Sequence, residues 1–205
     1  MPHPAHRRLT GRAIAWRLFV GALTLALASS LARASDAHLI AQLQAGGLVV
    51  LIRHAATDPG TGDPPGFRLD DCATQRNLSA AGRAQARALG DWFAAQQIPV
   101  AEVRSSRWCR CLETATLAFA NMATVAPWPP LDSFFDARHR EPKATAAALA
   151  ALATSQAGNR VWVTHQVNIT ALSGIFPAPG ELVLMRPVAV ADAPPRLELV
   201  GRLRP

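Results

Sequence analysis

Acidic residues are missing from the first 34 positions of this 205-residue chain, and charged residues make up only 17% of the whole against 50% hydrophobic. A chain this apolar buries enough surface to fold, so intrinsic disorder is excluded. Tyrosine is absent, and nothing follows from that. No internal repeat or low-complexity tract appears after residue 34, and no linker divides what remains, so 35–205 reads as one domain. The formal charge of +7 raises the prospect of nucleic acid or an anionic membrane surface as partner. Arg7, Arg8, Arg12, Arg17 and Arg33 carry much of it: beyond residue 34, 16 Lys and Arg face 14 Asp and Glu, a net of +2. A global basic patch is excluded, and nucleic acid is not an expected partner.

A membrane-spanning run of about 20 apolar residues is also lacking. The apolar stretch from Leu18 to Ala32 is about 15 residues long, follows a basic segment ending at Arg17, and closes on Ala32-Arg33-Ala34, the small-x-small pattern that a signal peptidase accepts. A signal peptide over 1–34, cleaved after Ala34, is expected. The mature chain would be periplasmic or secreted, with no stable membrane span after cleavage. An uncleaved anchor is the alternative, and twin-arginine export through Arg7-Arg8 is a weaker match.

Cysteine is scarce: Cys72, Cys109 and Cys111. In an oxidising compartment two of the three can pair. Cys109 and Cys111 point to different faces if helical, which leaves Cys72 to bridge to either one, and the spacing offers too few ligands for a metal site. No metal and no cofactor are expected.

What the chain does have is an alternation of elements. Helical spacing over 36–45 ends at Gly46-Gly47, ahead of a buried strand at 48–52. A loop rich in Asp, Pro and Gly covers 58–73, and Ser79 caps a helix running to about Gln97. A strand over 98–105, a helix over 107–120, an irregular excursion over 126–142, a helix over 143–155 and a strand over 160–164 follow. Two tail strands, at about 181–186 and 196–200, are joined by a Pro-Ala rich turn. Alternating strands and helices imply an α/β fold: a three-layer α/β/α sandwich with a mostly parallel sheet. Ligands bind such sheets beyond the carboxyl ends of the strands, and two predicted strands end there in His54 and His165.

Arg53-His54 at a strand end can place a fixed cation and a nucleophilic imidazole on one anion. Alone, the pair favours the plainer reading of a structural histidine beside a surface arginine. Three further segments change that: Leu78-Ser79-Ala-Ala-Gly82-Arg-Ala-Gln85-Ala86, then Ser106-Arg107-Trp-Cys-Arg110 through Thr114-Ala115, then His165. In order and spacing these resemble the histidine phosphatase superfamily. Ala55 stands where that family's first motif has glycine, and Arg107 where proline is usual.

The resemblance implies a phosphoglycerate mutase-like fold and a phosphohistidine intermediate on His54. A phosphoryl group needs fixed cations on its equatorial oxygens: Arg53 and Arg110 would supply guanidiniums, His165 a third donor if protonated, and Thr57 a neutral hydrogen bond. His54 must present a neutral nitrogen, which a backbone carbonyl ensures by holding the proton on the other. For the general acid, Asp136 is the first choice and Asp132 the second, with Glu113 and Asp58 behind them. The expected activity is a metal-independent phosphatase acting on a phosphorylated small molecule, a sugar phosphate or phosphohistidine. The alternatives are a non-catalytic phospho-ligand binding domain and a phosphomutase. Among short exported relatives, one group acts on phosphorylated sugars of the lipopolysaccharide core, an analogy only. Trp92, Trp108 and Trp162 read as core or pocket wall, His139 as part of a solvated loop, and Asn168 as a helix cap.

Overall fold

The strand β1 (Val49–Arg53) lies inside a six-stranded sheet of order β3-β2-β4-β1-β5-β6. The remaining strands are β2 (Val100–Ser105), β3 (Val125–Pro127), β4 (Asn159–Thr164), β5 (Leu182–Val190) and β6 (Ala193–Leu203). This computed structural model describes residues 36–60 and 62–205. Leu39–Pro205 forms one compact unit, and the signal-peptide expectation for 1–34 lies outside the described residues. Neighbours among β3, β2, β4 and β1 pair in parallel, whereas β5 and β6 pair antiparallel. The expected α/β sandwich with a mostly parallel sheet is what the chain forms.

A strand covered on both faces reads as an unbroken apolar run, and β1 divides its side chains between two cores. Val50 and Ile52 join Leu43, Phe93 and Phe119, from the helical stretch 39–45 (α1), α2 (Ala80–Ala95) and α3 (Cys109–Phe119). Val49 and Leu51 join Leu131, Ala148 and Ile169 on the opposite face, where α4 (Glu141–Ala150) and α5 (Gln166–Ser173) lie. The same alternation repeats in β4, with Val161 and Val163 to one side and Trp162 to the other. Among the described residues no helix is long and apolar enough to cross a membrane.

The structure departs from expectation in three places. Residues 125–127, which overlap the start of the 126–142 stretch read as irregular, form β3 at the sheet edge; three residues carry no periodicity, and only an edge tolerates Pro127. The alanine-rich helix starts earlier, with Pro142 in its first turn, where a missing N–H costs nothing. The tail strands extend through Pro187, Pro194 and Pro195, and the chain reverses beside Asp192, at φ 55°.

Cys72 pairs with Cys109, Cα atoms 5.6 Å apart, and Cys111 stays free and buried. The bridge ties the end of the 58–73 loop to the first residue of α3.

The start of α2 is locked to the turn after β1. Ser79 Oγ accepts from Gly82 N–H at 3.0 Å, Ser79 N–H donates to Ala56 O at 3.1 Å, and Gln85 Oε1 accepts from Ala56 N–H at 3.0 Å. A Cβ on Gly82 would stand 1.8 Å from Ala56 O. Gly to Ala inside a helix ordinarily stabilises, but here two backbones would have to part. Gly82→Ala is expected to destabilise by about 1–3 kcal/mol or more, read as a lowered midpoint in thermal or urea denaturation.

Candidate active site

The two histidines meet because of strand register. Arg53 pairs with Thr164 across β1 and β4, so the next residue of each strand lies beyond the same sheet edge. His54 N–H donates to Thr164 O at 3.0 Å, and the His54 and His165 rings stand 5.6 Å apart. Around them opens a cavity of about 350 Å³, lined by Arg53, Arg76 and Arg110 with both histidines.

His54 Nδ1 lies 2.8 Å from Ala55 O. A carbonyl only accepts, so Nδ1 carries the proton and Nε2 holds a free lone pair. Burial pushes the His54 pKa down from 6.5 to about 3, against the pull of the Ala55 hydrogen bond and with the help of Arg110 and Arg53. Ala55 N–H donates to Thr114 Oγ1 at 3.0 Å, and Thr114 donates to Arg110 O at 2.7 Å. The turn carrying His54 is thereby fastened to the helix carrying Arg110.

Arg53 NH1 donates to Pro177 O at 3.0 Å. Arg110 forms a two-point ion pair with Asp63, NH1 to Oδ1 at 2.7 Å and NH2 to Oδ2 at 3.1 Å, with both side chains 5% exposed. Asp63 also accepts from Arg76 N–H at 3.0 Å and Trp108 Nε1–H at 2.9 Å. Burial pushes its carboxyl up, but these hydrogen bonds and the Arg110 charge outweigh it and hold the group below the usual carboxylate range. The buried Nε of both Arg53 and Arg110 finds no hydrogen-bond partner among the described residues.

His165 Nδ1 faces Arg110 NH2 at 3.5 Å, and its Nε2 lies 2.8 Å from Ser106 Oγ. Arg110 only donates, so the proton of His165 belongs on Nε2, toward Ser106. Ser106 in turn is 3.4 Å from Asp132 Oδ1. Burial, followed by the charge of Arg110, pushes His165 well below 6.5. That direction favours the neutral imidazole in the free protein, so the protonation on which a third cation depends is not met without a bound anion.

Two other expectations change. Thr57 does not line the cavity; its hydroxyl accepts from Arg76 NH1 at 2.6 Å, so it positions a cation that does. Asp132, the second-choice acid, is buried and committed to Arg107, which reaches it through Nε at 2.8 Å, NH2 at 2.5 Å and the backbone N–H at 2.9 Å. Asp136 is exposed and lines the cavity mouth. Glu113 pairs with Arg83. Trp108 forms cavity wall, and Trp162 is core. His139 is exposed. Asn168 is not a cap: it lies inside α5 and donates to Asp132 O at 3.0 Å.

Asp63 and Arg76 were missed. Arg76 lies two residues before the motif that begins at Leu78, but nothing in the sequence distinguishes it from a surface arginine. Asp63 is one of several loop acids, folded inward by turns at Gly60 and Gly62, both with positive φ. Among the described residues no cluster of three or more His, Cys, Asp or Glu side chains gathers as a metal site.

Residues 49–135 match the family described as the histidine phosphatase superfamily (branch 1). Over those residues the chain is similar to that superfamily. Solved structures similar in fold include one from Agrobacterium tumefaciens assigned as a phosphohistidine phosphatase SixA, with 20% identity, a TM-score of 0.52 and coverage of 78% of this chain and 99% of that one. A mycobacterial glucosyl-3-phosphoglycerate phosphatase is similar at 16% identity, with a TM-score of 0.54 and coverage of 75% and 97%. The protein histidine phosphatase SixA complexed with tungstate is similar at 13% identity, with a TM-score of 0.51 and coverage of 76% and 96%. No curated protein sequence matches the chain. Superfamily and fold together support a phosphatase or phosphomutase enzyme.

Both histidines sit far below their unfolded pKa, so between about 6.5 and about 3 the unfolded chain binds more protons at His54 than the folded one does. Stability is therefore expected to fall as pH drops through that window. A urea midpoint measured at pH 7 and again at pH 5 should decline, and His54→Asn, which does not titrate, should show a shallower decline.

Proposed function

We propose that this chain is a phosphatase that hydrolyses phosphomonoesters, or phosphohistidine, through a phosphohistidine on His54. The carrying observation is that His54 turns a proton-free Nε2 into a cavity whose wall combines three guanidiniums with one buried carboxylate. Arg140 and Asp136 line the same cavity and offset one another, so with both imidazoles neutral two net positive charges remain, the complement of a phosphomonoester dianion. The activities named for the similar structures, on phosphohistidine and on a sugar phosphate, support both substrate classes.

The reaction proceeds in two displacements. Arg53, Arg76 and Arg110 hold the equatorial oxygens while Nε2 attacks phosphorus; the N–P bond forms as the bond to the leaving oxygen breaks. The leaving oxygen takes a proton from Asp136 at the mouth. Water then attacks phosphorus, gives its proton back to the same carboxylate, and phosphate departs as the N–P bond breaks. The guanidiniums supply the charge stabilisation that metal ions provide in other phosphatases.

Export of the mature chain to the periplasm or medium is part of this reading. It rests on the leader at 1–34 and is supported by the Cys72–Cys109 bridge, which persists in oxidising surroundings.

His54→Ala should abolish turnover of p-nitrophenyl phosphate while phosphate still binds, and acid-labile phosphate should be trapped on a histidine in the wild type alone. Near-wild-type turnover in the variant removes His54 as nucleophile. Phosphate binding without turnover in the wild type leaves the phospho-ligand binding domain, a reading favoured by the exposure of Asp136. That carboxylate has its own test. Asp136→Asn should slow esters of poor leaving groups by about 100-fold or more and spare p-nitrophenyl phosphate, whose leaving anion needs little protonation. Equal losses on both would give Asp136 a role in holding the loop.

A further inference from the structure

Aromatic rings line the cavity from its floor to its mouth. Trp108 is buried and makes a T-shaped contact with His165, ring centroids 5.3 Å apart, and Phe67 lies against Trp108 at 5.7 Å. Further out, Phe135 is 46% and Phe176 69% exposed. The other large hydrophobic side chains exposed to this degree among the described residues, Val190 and Leu199, lie on β5 and β6. Both exposed aromatic rings therefore stand at the mouth of the one cavity that holds the arginines and histidines.

Their placement is tied to the phosphate site. Phe176 precedes Pro177, whose carbonyl accepts from Arg53, and Phe135 precedes Asp136. A phosphoryl group held on Arg53 and Arg110 thus directs whatever it is esterified to outward between these two segments. A small polar alcohol gains nothing from phenyl faces there. A leaving group with a ring or other broad apolar face removes them from water and is held by them. The cavity's 350 Å³ falls in the range of small-molecule sites and is enclosed more deeply than a flat protein-docking surface requires.

We infer that the substrate of this site is a ring-bearing small-molecule phosphomonoester whose leaving group packs on Phe135 and Phe176. The inference rests on the phosphatase reading and adds to it the class of leaving group.

The test separates binding from turnover. Cyclohexylmethylphosphonate and methylphosphonate, neither hydrolysable, are titrated against the folded wild type by calorimetry. The ring-bearing phosphonate is expected to bind at least about 10-fold tighter, the value of burying one apolar ring. Phe135→Ala and Phe176→Ala should each shrink that ratio several-fold, and Phe135→Leu should retain part of it. Cyclohexylmethyl and ethyl phosphates, whose alcohols differ little in acidity, then give the matching ratio of kcat/KM, with the difference in KM. Equal affinity for the two phosphonates, or a ratio untouched by either alanine variant, overturns the inference even if esters are hydrolysed. Binding of the phosphonates in the expected ratio with no ester turned over keeps the ring subsite and sinks the phosphatase reading instead.

Discussion

The parallel pairing of β1 with β4 is the constraint on which everything else depends. Both strands run through the middle of the sheet with each face buried, so a slip by one residue would exchange their side chains between the two cores and undo the packing of both. That register fixes Arg53 beside Thr164, and therefore His54 beside His165, although 111 positions separate the two histidines in sequence. The remaining contacts are fastenings to this edge. Gln85 reaches from α2 to the turn at Ala56 and to Pro179 O at 3.0 Å, and Thr114 reaches from α3 to Ala55.

Three guanidiniums in one cavity repel one another: burial, and then neighbouring arginines, push Arg53 and Arg76 below the ordinary guanidinium value. The fold offsets this with one carboxylate. Asp63 faces Arg110 squarely and takes two more N–H donors, so it is fully satisfied where it lies. The disulfide holds the end of its loop to the first residue of α3, next to Arg110 itself. Cation and counter-ion are thus held to the same short stretch of backbone, and the field in the cavity is set without side-chain rearrangement.

How much of this was legible in the sequence depended on the range of the interaction. Short-range chemistry was: the Ser79 cap, the apolar run of β1 and the tautomer-setting carbonyl after His54 are all local. The spacing around Gly82 and Gln85 was visible as a motif, and its physical reason, the near-contact with Ala56 O, only in three dimensions. Long-range choices were not legible. Cys72 had two possible partners, and only the packing of α3 selects Cys109 and turns Cys111 into the core. Asp132 and Asp63 are both loop acids in sequence; the first ends beneath Ser106, paired with Arg107, and the second enters the cavity. Thr57 was assigned to the phosphate because the resembling family has a small hydroxyl residue at that place, yet here it bridges Leu78 and its hydroxyl meets Arg76 instead of lining the cavity.

The hydrogen-bond inventory of Arg110 explains why His165 is best held neutral until an anion arrives. Of five N–H donors, two go to Asp63, one to Arg76 O at 3.3 Å and one, at 3.5 Å, to His165 Nδ1, leaving only the buried Nε. A phosphoryl dianion beside this edge favours the imidazolium. Once His165 takes a proton on Nδ1, that nitrogen can no longer accept from Arg110, and the NH2 proton is released. Nε and NH2 lie along one side of the guanidinium fork, the geometry that two phosphoryl oxygens can accept together. In the proposed reaction, protonating His165 thus adds a charge and also frees the second donor of the arginine beside it. Ser106, within 2.8 Å of Nε2, accepts the proton on the far nitrogen in both states, so the ring need not turn.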